Sequence, residues 1–244
     1  MTTAAVPALH VRAFWAPKAG NADDEWEDGA AASVRRGRVA VADGASASVD
    51  AARWAGHLVR SWIVFDADAG TDFGSWLAST VESYEPTEVT DDASWFASAA
   101  AGRAAFATFV GLGFEGFEAR VWAVGDTVAF LVRGEQVVGA VPALGPEDFG
   151  TTPDLVGSEA SLAAGVVDGA IEGRMACSPG DVVVVATDAV AEWIVAVDPR
   201  SVATLVDRLD QPTFRRLVDE LRARGEMVND DCTLVRIRVG ELAA

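Results

Sequence analysis

The chain has 244 residues, with 19 Lys+Arg against 37 Asp+Glu and a formal charge of −18 at pH 7. Half of it is apolar and 23% is charged, a globular composition long enough to build a sizeable core rather than a disordered one. The acidity excludes a nucleic-acid binder, which needs a basic face; it suits a solubilising surface or a site for divalent cations.

From Met1 to Trp15 no basic start is followed by an apolar run, so no signal peptide is expected. Arg38–Asp43, an apolar run closed by Asp-Gly, predicts a buried strand stopping at a turn. The preceding Arg35-Arg36-Gly37-Arg38 reads as a solvated turn. From Val49 to Phe65, residues Ala51, Ala52, Ala55, Leu58, Val59, Trp62 and Ile63 recur at helical spacing, with Asp50 at the favourable end of the dipole. Ser46 and Ser48 are the expected caps of this helix, and His57 within it is expected to pack rather than to react. After a loop, Asp66–Asp72, a second helix is predicted from Asp72 to about Tyr84.

A third helix is predicted from Asp92 to about Val110, with Trp95, Phe96, Ala99, Phe106 and Phe109 on one side and the glycines of Gly111–Gly116 ending it. The longest apolar stretch, Ala93–Leu112, is broken by Arg103 and is no membrane span. Phe117–Val124, Thr127–Arg133 and Gln136–Gly139, separated by Gly125-Asp126 and Gly134-Glu135, predict an antiparallel meander. Val141–Ser178, with Pro142, Pro146 and Pro153, reads as an extended loop or cover. Asp181–Asp188 is a second buried strand ending in Asp; helices follow at about Ser201–Leu209 and Pro212–Arg224, and Cys232–Val239 closes the chain as a strand. No repeat or linker divides residues 1–244, so one domain is expected. Runs of antiparallel strands and grouped helices, without regular βαβ alternation, predict an α+β fold with helices outside antiparallel sheets.

Acidic residues recur at strand ends: Glu27-Asp28 before Gly29, Asp43-Gly44, Asp188 and Asp230-Asp231. Converging carboxylates repel unless protons or cations neutralise them. Their hard oxygens suit Mg²⁺ or Mn²⁺ rather than zinc. His10 and His57 are the only histidines, and Cys177 and Cys232 lack CxxC spacing, so a nitrogen–sulfur metal site is excluded. Taken singly, each acid reads more readily as a turn or cap residue than as a ligand.

Taken in order, Val41-Ala-Asp43-Gly44, Ala123-Val-Gly125-Asp126-Thr, Gly180-Asp-Val-Val-Val-Val-Ala-Thr-Asp188 and Asp230-Asp-Cys-Thr-Leu-Val resemble the successive signatures of the metal-dependent type 2C, or PPM, serine/threonine protein phosphatases. Asn21–Asp28 resembles the opening acidic motif of that family, and the resemblance runs over about residues 10–240. It implies a four-layer αββα sandwich, two antiparallel sheets flanked by helices. It implies Mg²⁺ or Mn²⁺ as cofactor, two ions and a third, weaker one. Asp43 would bridge the two ions, with the Gly44 carbonyl on one of them; Asp188 and Asp230 would hold the first ion, and Asp28, with Glu27 beside it, the second. Asp126 with Asp188 would hold the third, and Glu192 lies where a further acid would help.

The implied activity is hydrolysis of phosphoserine and phosphothreonine by metal-activated water, with Asp43, Asp188 and Asp230 the residues on which catalysis depends. A phosphorylated protein is the implied partner; no nucleic acid, no membrane, a monomer and a cytoplasmic location are expected. A silent regulatory module and a phosphatase of small metabolites are the alternatives. Substrate choice would rest on Val141–Ser178 and the loops Asp66–Asp72 and Glu85–Asp91. Three departures from the family pattern stand out. No Arg precedes the opening acids to grip phosphate, Lys18 being the one nearby cation; Ala45 stands where some relatives have His; and Thr-Asp-Gly and Asp-Asn read Thr187-Asp188-Ala189 and Asp230-Asp231. Ala189 is tolerable where φ is negative, and Asp231 adds charge.

Overall fold

The structure, a computed structural model, describes residues 6–48, 50–65, 72–86, 104–150, 152–197, 202, 206 and 208–242. Two five-stranded antiparallel sheets stack face to face. The first has the order β1 (Pro7–Ala16), β12 (Cys232–Leu242), β11 (Val182–Ala186), β7 (Val128–Arg133), β8 (Gln136–Val141). The second runs β10 (Ile171–Ala176), β6 (Glu118–Val124), β5 (Phe109–Glu115), β3 (Arg38–Ala42), β2 (Gly29–Ser33). A short ladder joins β4 (Phe106–Ala107) to β9 (Val156–Gly157).

Side-chain alternation along each strand fixes the layers. In β11, Val183 and Val185 enter the core between the sheets, while Val182, Val184 and Ala186 face outward under helices. With both faces covered, the strand reads as an unbroken apolar run. The outward residues of the first sheet meet α4 (Asp188–Ala196) and α5 (Gln211–Arg224) through Trp193, Ile194, Phe214, Val218 and Leu221. Those of the second sheet meet α1 (Ala51–Val64), α2 (Phe73–Glu82) and α3 (Ala160–Val167) through Trp54, Leu58, Trp62, Trp76, Leu77 and Ala163. The result is the αββα order. Among the described residues no helix is long and apolar enough to cross a membrane.

Strands β3, β6, β7, β11 and β12 and helices α1, α2 and α5 lie where their patterns predict, with Asp72 capping α2 by accepting from Ser75 N at 2.7 Å. His57 packs, as expected, against Trp54 and Tyr84, its Nε2 2.9 Å from the Thr80 carbonyl oxygen. Of the predicted helix Ser201–Leu209, only 202, 206, 208 and 209 are among the described residues, and the loop 66–71 is outside them.

Four expectations are corrected. The third helix does not reach Val110: residues 92–103 lie outside the described residues, and Phe106–Ala107 and Phe109–Glu115 are strands. The glycines are not helix stops. In β5, Val110, Leu112 and Phe114 point into the sandwich, and Gly111 leaves room on the other face for the Trp62 indole, which a Cβ there would approach to 2.6 Å. Val141–Ser178 is not only loop, since it contains α3 and the edge strand β10, whose exposed Glu172 and Arg174 pair with Arg120 and Glu118 at 2.7 Å each. Neither serine caps α1. Asp50 takes that position at φ 62°, Ser48 Oγ donates to the Ala45 carbonyl and accepts from Phe106 N, and Ser46 turns to Lys18. Finally, β1 is an additional strand, paired with β12 from Pro7 to Ala16.

Trp62 is the centre of the layer under α1. It is edge-on to Trp76, Trp122 and Phe109 at 5.0, 5.3 and 5.7 Å, and its Nε1 donates to Leu112 O at 3.0 Å. Gly111→Ala should therefore overpack this layer and cost about 1–3 kcal/mol, read by chemical denaturation; an unchanged unfolding midpoint would contradict the packing described.

Candidate metal centre

Strand ends deliver the acids. Asp28 immediately precedes β2 and Asp43 follows β3, its paired neighbour, so the β2–β3 register places them side by side. Asp188 opens α4 directly after Thr187, the residue that follows β11; Asp230 and Asp231 precede β12, and Asp126 occupies the β6–β7 turn. Because β11 pairs with both β12 and β7, these last three sites share one edge of the first sheet.

The segment after Asp43 is itself held in extended form. Its carbonyl accepts from Thr108 N at 2.9 Å, Gly44 bridges to Ala107, and Ala45 N donates to Phe106 O at 2.9 Å. Gly44 is pressed against the acidic segment opposite: a Cβ there would lie 2.5 Å from the Glu27 carbonyl oxygen. Only glycine lets the two acid-bearing segments approach this closely.

The electrostatics of the cluster are unfavourable. Asp28 is 3% exposed; burial, then the charge of Asp231, lifts its pKa to about 7 against the pull of a hydrogen bond from Thr233. Asp43 is pushed well above the carboxylate range by burial and by the charges of Asp28, Asp188 and Asp230. Burial, then Asp126 and Asp230, raises Asp188 to about 7, with a smaller push from Glu192 one helical turn along α4. Asp126, 8% exposed, is raised by burial and by Asp230. Each shift has one origin: carboxylates crowded away from water without enough positive charge.

Among the described residues, a cation does enter this cluster. Lys18 Nζ lies 3.0 Å from Asp230 Oδ1 and 3.7 Å from Glu27 Oε2, and bonds to Ser46 Oγ. Its partial burial opposes the charge, but the hydrogen bond to Asp230 and the charges of Asp230, Asp231 and Glu27 hold its pKa above the usual value.

Asp231 does more than add charge: it is 2% exposed, and its two oxygens accept from Lys18 N at 2.8 Å and Glu27 N at 2.7 Å. An amide, with one acceptor oxygen, could hold only one of these. Asn229 Oδ1 takes the next N–H, that of Ala19, at 2.7 Å. Two threonines that the sequence did not single out as site residues complete the frame. Thr233 Oγ1 donates to Asp28 Oδ2 at 2.7 Å and Thr187 Oγ1 to the same oxygen at 3.3 Å, and both threonines are fully buried. Their one sequence signal is a hydroxyl within an otherwise apolar strand or strand end. Ala189 is helical, so the missing glycine of Thr-Asp-Gly is harmless.

Asp28 Oδ1 is buried without a hydrogen-bond partner. Among the described residues no three Asp, Glu, His or Cys side chains are already closed around one point. The donor set nonetheless fits a divalent cation: several carboxylates, a backbone carbonyl at Gly44 and an unsatisfied buried oxygen, all hard ligands, in a region short of positive charge.

No family model and no curated protein matches the sequence. Solved structures do match over nearly the whole chain. The photosystem II phosphatase PBCP shares 16% identity at a TM-score of 0.68, covering 96% of this chain and 100% of that one. The S. agalactiae serine/threonine phosphatase shares 15% at 0.60, over 95% and 99%. The catalytic domain of the serine/threonine protein phosphatase PstP, in complex with two manganese ions, shares 16% at 0.59, over 96% and 99%. The chain has the fold of the type 2C, or PPM, serine/threonine phosphatases.

Proposed function

We propose that the protein is a metal-dependent phosphatase that hydrolyses phosphoserine and phosphothreonine in proteins, with Mg²⁺ or Mn²⁺ as cofactor. The observation that carries this reading is the crowding of Asp28, Asp43, Asp126, Asp188 and Asp230 at one edge of the sandwich, with the pKa values of Asp28, Asp43, Asp126 and Asp188 raised there. Asp43, Asp188 and Asp230 would hold one ion and Asp28, Glu27 and Asp43 a second, with the Gly44 carbonyl on one of the two, and Asp126 with Asp188 would hold a third. Bound there, divalent cations supply Lewis acidity toward phosphoryl oxygens and make water acidic enough to attack phosphorus near neutral pH.

The chain's own residues do the rest. Lys18 is the positioning cation for the phosphoryl group, taking the place of the arginine that the family pattern would put there. Asp231 fixes the backbone of Lys18 and Glu27 from below. Thr187 and Thr233 keep one Asp28 oxygen engaged and leave the other without a hydrogen-bond partner, open to a cation. Protein-thiol chemistry is not part of the reading, because Cys177 and Cys232 are buried thiols lifted to about 11 and about 12 by desolvation. A second reading, a silent binding module, draws on the Lys18 ammonium already seated among the acids.

Hydrolysis of p-nitrophenyl phosphate and of a phosphothreonine peptide should require Mn²⁺ or Mg²⁺ and vanish in EDTA. Asp43→Asn and Asp188→Asn should each lower turnover by at least ~10²-fold with the circular dichroism spectrum retained; full turnover in either would refute the assignment. Calorimetric Mn²⁺ binding without turnover would select the silent module.

Lys18→Ala should raise KM or the inhibition constant for phosphate by roughly 10-fold, the scale of one charge-assisted hydrogen bond. Asp231→Asn, which releases one of the two pinned N–H groups, should move the same constant in the same direction by less. A Lys18→Ala enzyme with unchanged KM and phosphate inhibition would remove that residue from the site.

In the metal-free protein Asp28 and Asp188 keep their protons to about pH 7, whereas the unfolded chain releases them near pH ~4. Between these limits the folded state binds more protons, so stability falls as pH rises from the ordinary carboxylate range to about 7 and then levels off. Thermal denaturation in EDTA should show that decline, and Mn²⁺ at pH 8 should reverse it. Equal midpoints at pH 5 and pH 8 without metal would contradict the electrostatics described.

A further inference from the structure

Lys18 is the sole lysine of the chain, within a Lys+Arg total of 19, and it stands at the acidic edge. Three oxygens engage its ammonium: Asp230 Oδ1 at 3.0 Å, Glu27 Oε2 at 3.7 Å and Ser46 Oγ. An ammonium carries three N–H donors and no more. Seated in this way, the charge that would meet a phosphoryl group is taken up by the protein's own carboxylates.

The backbone that carries this side chain is held separately. Lys18 N donates to Asp231 Oδ1 at 2.8 Å and Lys18 O accepts from Asn21 N at 3.0 Å. Ala19 N donates to Asn229 Oδ1 at 2.7 Å, and Pro17 O accepts from Arg222 Nη1 at 3.0 Å. The same guanidinium donates through Nη2 to the Asp230 carbonyl, which ties the segment to the strand start that presents Asp230. With the backbone fixed by these bonds, the ammonium is not needed to hold the segment in place. The Lys18 side chain is 22% exposed and that of Asp230 39%, and an ion pair so open to water adds little to stability. The flexible four-carbon stem can carry the ammonium away while its Cα stays where it is.

We infer that Lys18 is a tethered counter-ion that a divalent cation displaces: ammonium and metal exclude each other at Asp230 and Glu27, and metal loading frees the ammonium for the phosphoryl group. This rests on the metal reading of the acidic edge and gives it an order of events, cation before phosphate. A carboxylate oxygen in contact with an ammonium is not available to a hard cation, and two cations drawn to the same oxygens repel. Asp28 supplies the contrast. Its Oδ1, buried without a hydrogen-bond partner, is open to an ion from the start, whereas Asp230 and Glu27 must first be given up by Lys18. In metal-poor solution the seated ammonium therefore both quiets the repulsion among the acids and withholds the grip on phosphate.

The test uses the full chain with ¹⁵N-labelled lysine, whose side chain gives one ammonium resonance because Lys18 stands alone. Titration with Mg²⁺ should shift that resonance, or strip its protection from exchange with water, in step with metal occupancy measured by calorimetry. Lys18→Met, which keeps the stem and loses the charge, should tighten Mg²⁺ and Mn²⁺ binding by about 10-fold or more, the scale of one charge-assisted hydrogen bond. Arg215→Met removes an equal charge that is paired with Asp23 and stacked on Trp15, and should leave the affinity within about twofold. Metal binding with the lysine resonance unmoved, equal affinity in Lys18→Met, or an equal gain in Arg215→Met would each overturn the tethered counter-ion and leave the metal centre standing. Failure of both the unaltered chain and Lys18→Met to bind either ion would overturn the metal reading, and this inference with it.

Discussion

Carboxylates repel across the edge where β2, β3, β11 and β12 begin or end, and the remainder of the architecture keeps them from relaxing apart. None of the acids has freedom to retreat. Asp28 and Asp43 are flanked by registered strands, Asp188 starts a helix whose Val190, Trp193 and Ile194 are buried, and Asp230 precedes a strand paired on both sides. Backbone rigidity therefore stores electrostatic strain that protons, Lys18 or a bound cation relieve. The Asp231 bracket belongs to the same device, because it spends a buried carboxylate on fixing the two segments that carry Lys18 and Glu27.

That rigidity comes from covering both sheets on both faces. Apolar residues on successive positions of β3, β7 and β11 serve the inter-sheet core and an outer helix layer in alternation. The second sheet uses large aromatics for its outer layer, Trp54, Trp62 and Trp76 each being 1% exposed or less, and matches them with small residues such as Gly111 in the strand beneath. The tryptophans thus supply packing area, with Trp54 and Trp62 directing their N–H groups to the carbonyls of Val156 and Leu112.

What the sequence disclosed follows from this layering. Strands buried on both faces, such as Val182–Ala186, and helices with one apolar stripe, such as Ala51–Val64, carry local patterns strong enough to read. The edge strands β1 and β10 do not. β1 carries His10 and Arg12, and β10 carries Glu172 and Arg174, because one side of an edge strand faces solvent or charged neighbours. Phe109–Glu115 misleads for another reason: Gly111 is the complement of the Trp62 indole, which lies far upstream in the chain, and nothing local announces the fit. The convergence of Asp28, Asp43, Asp126, Asp188 and Asp230 was legible through the order of the motifs. The inward role of Asp231 was not, since its two partners are 213 and 204 positions away.

The two thiols illustrate what burial does to reactivity. Cys232 is two residues from Asp230, yet it is fully enclosed, between Met227 and Arg222, and its pKa of about 12 leaves almost no thiolate at neutral pH. Cys177 is similarly protected at about 11. Peroxide and alkylating reagents attack the thiolate, so the acidic edge has a sulfur neighbour that offers them no handle.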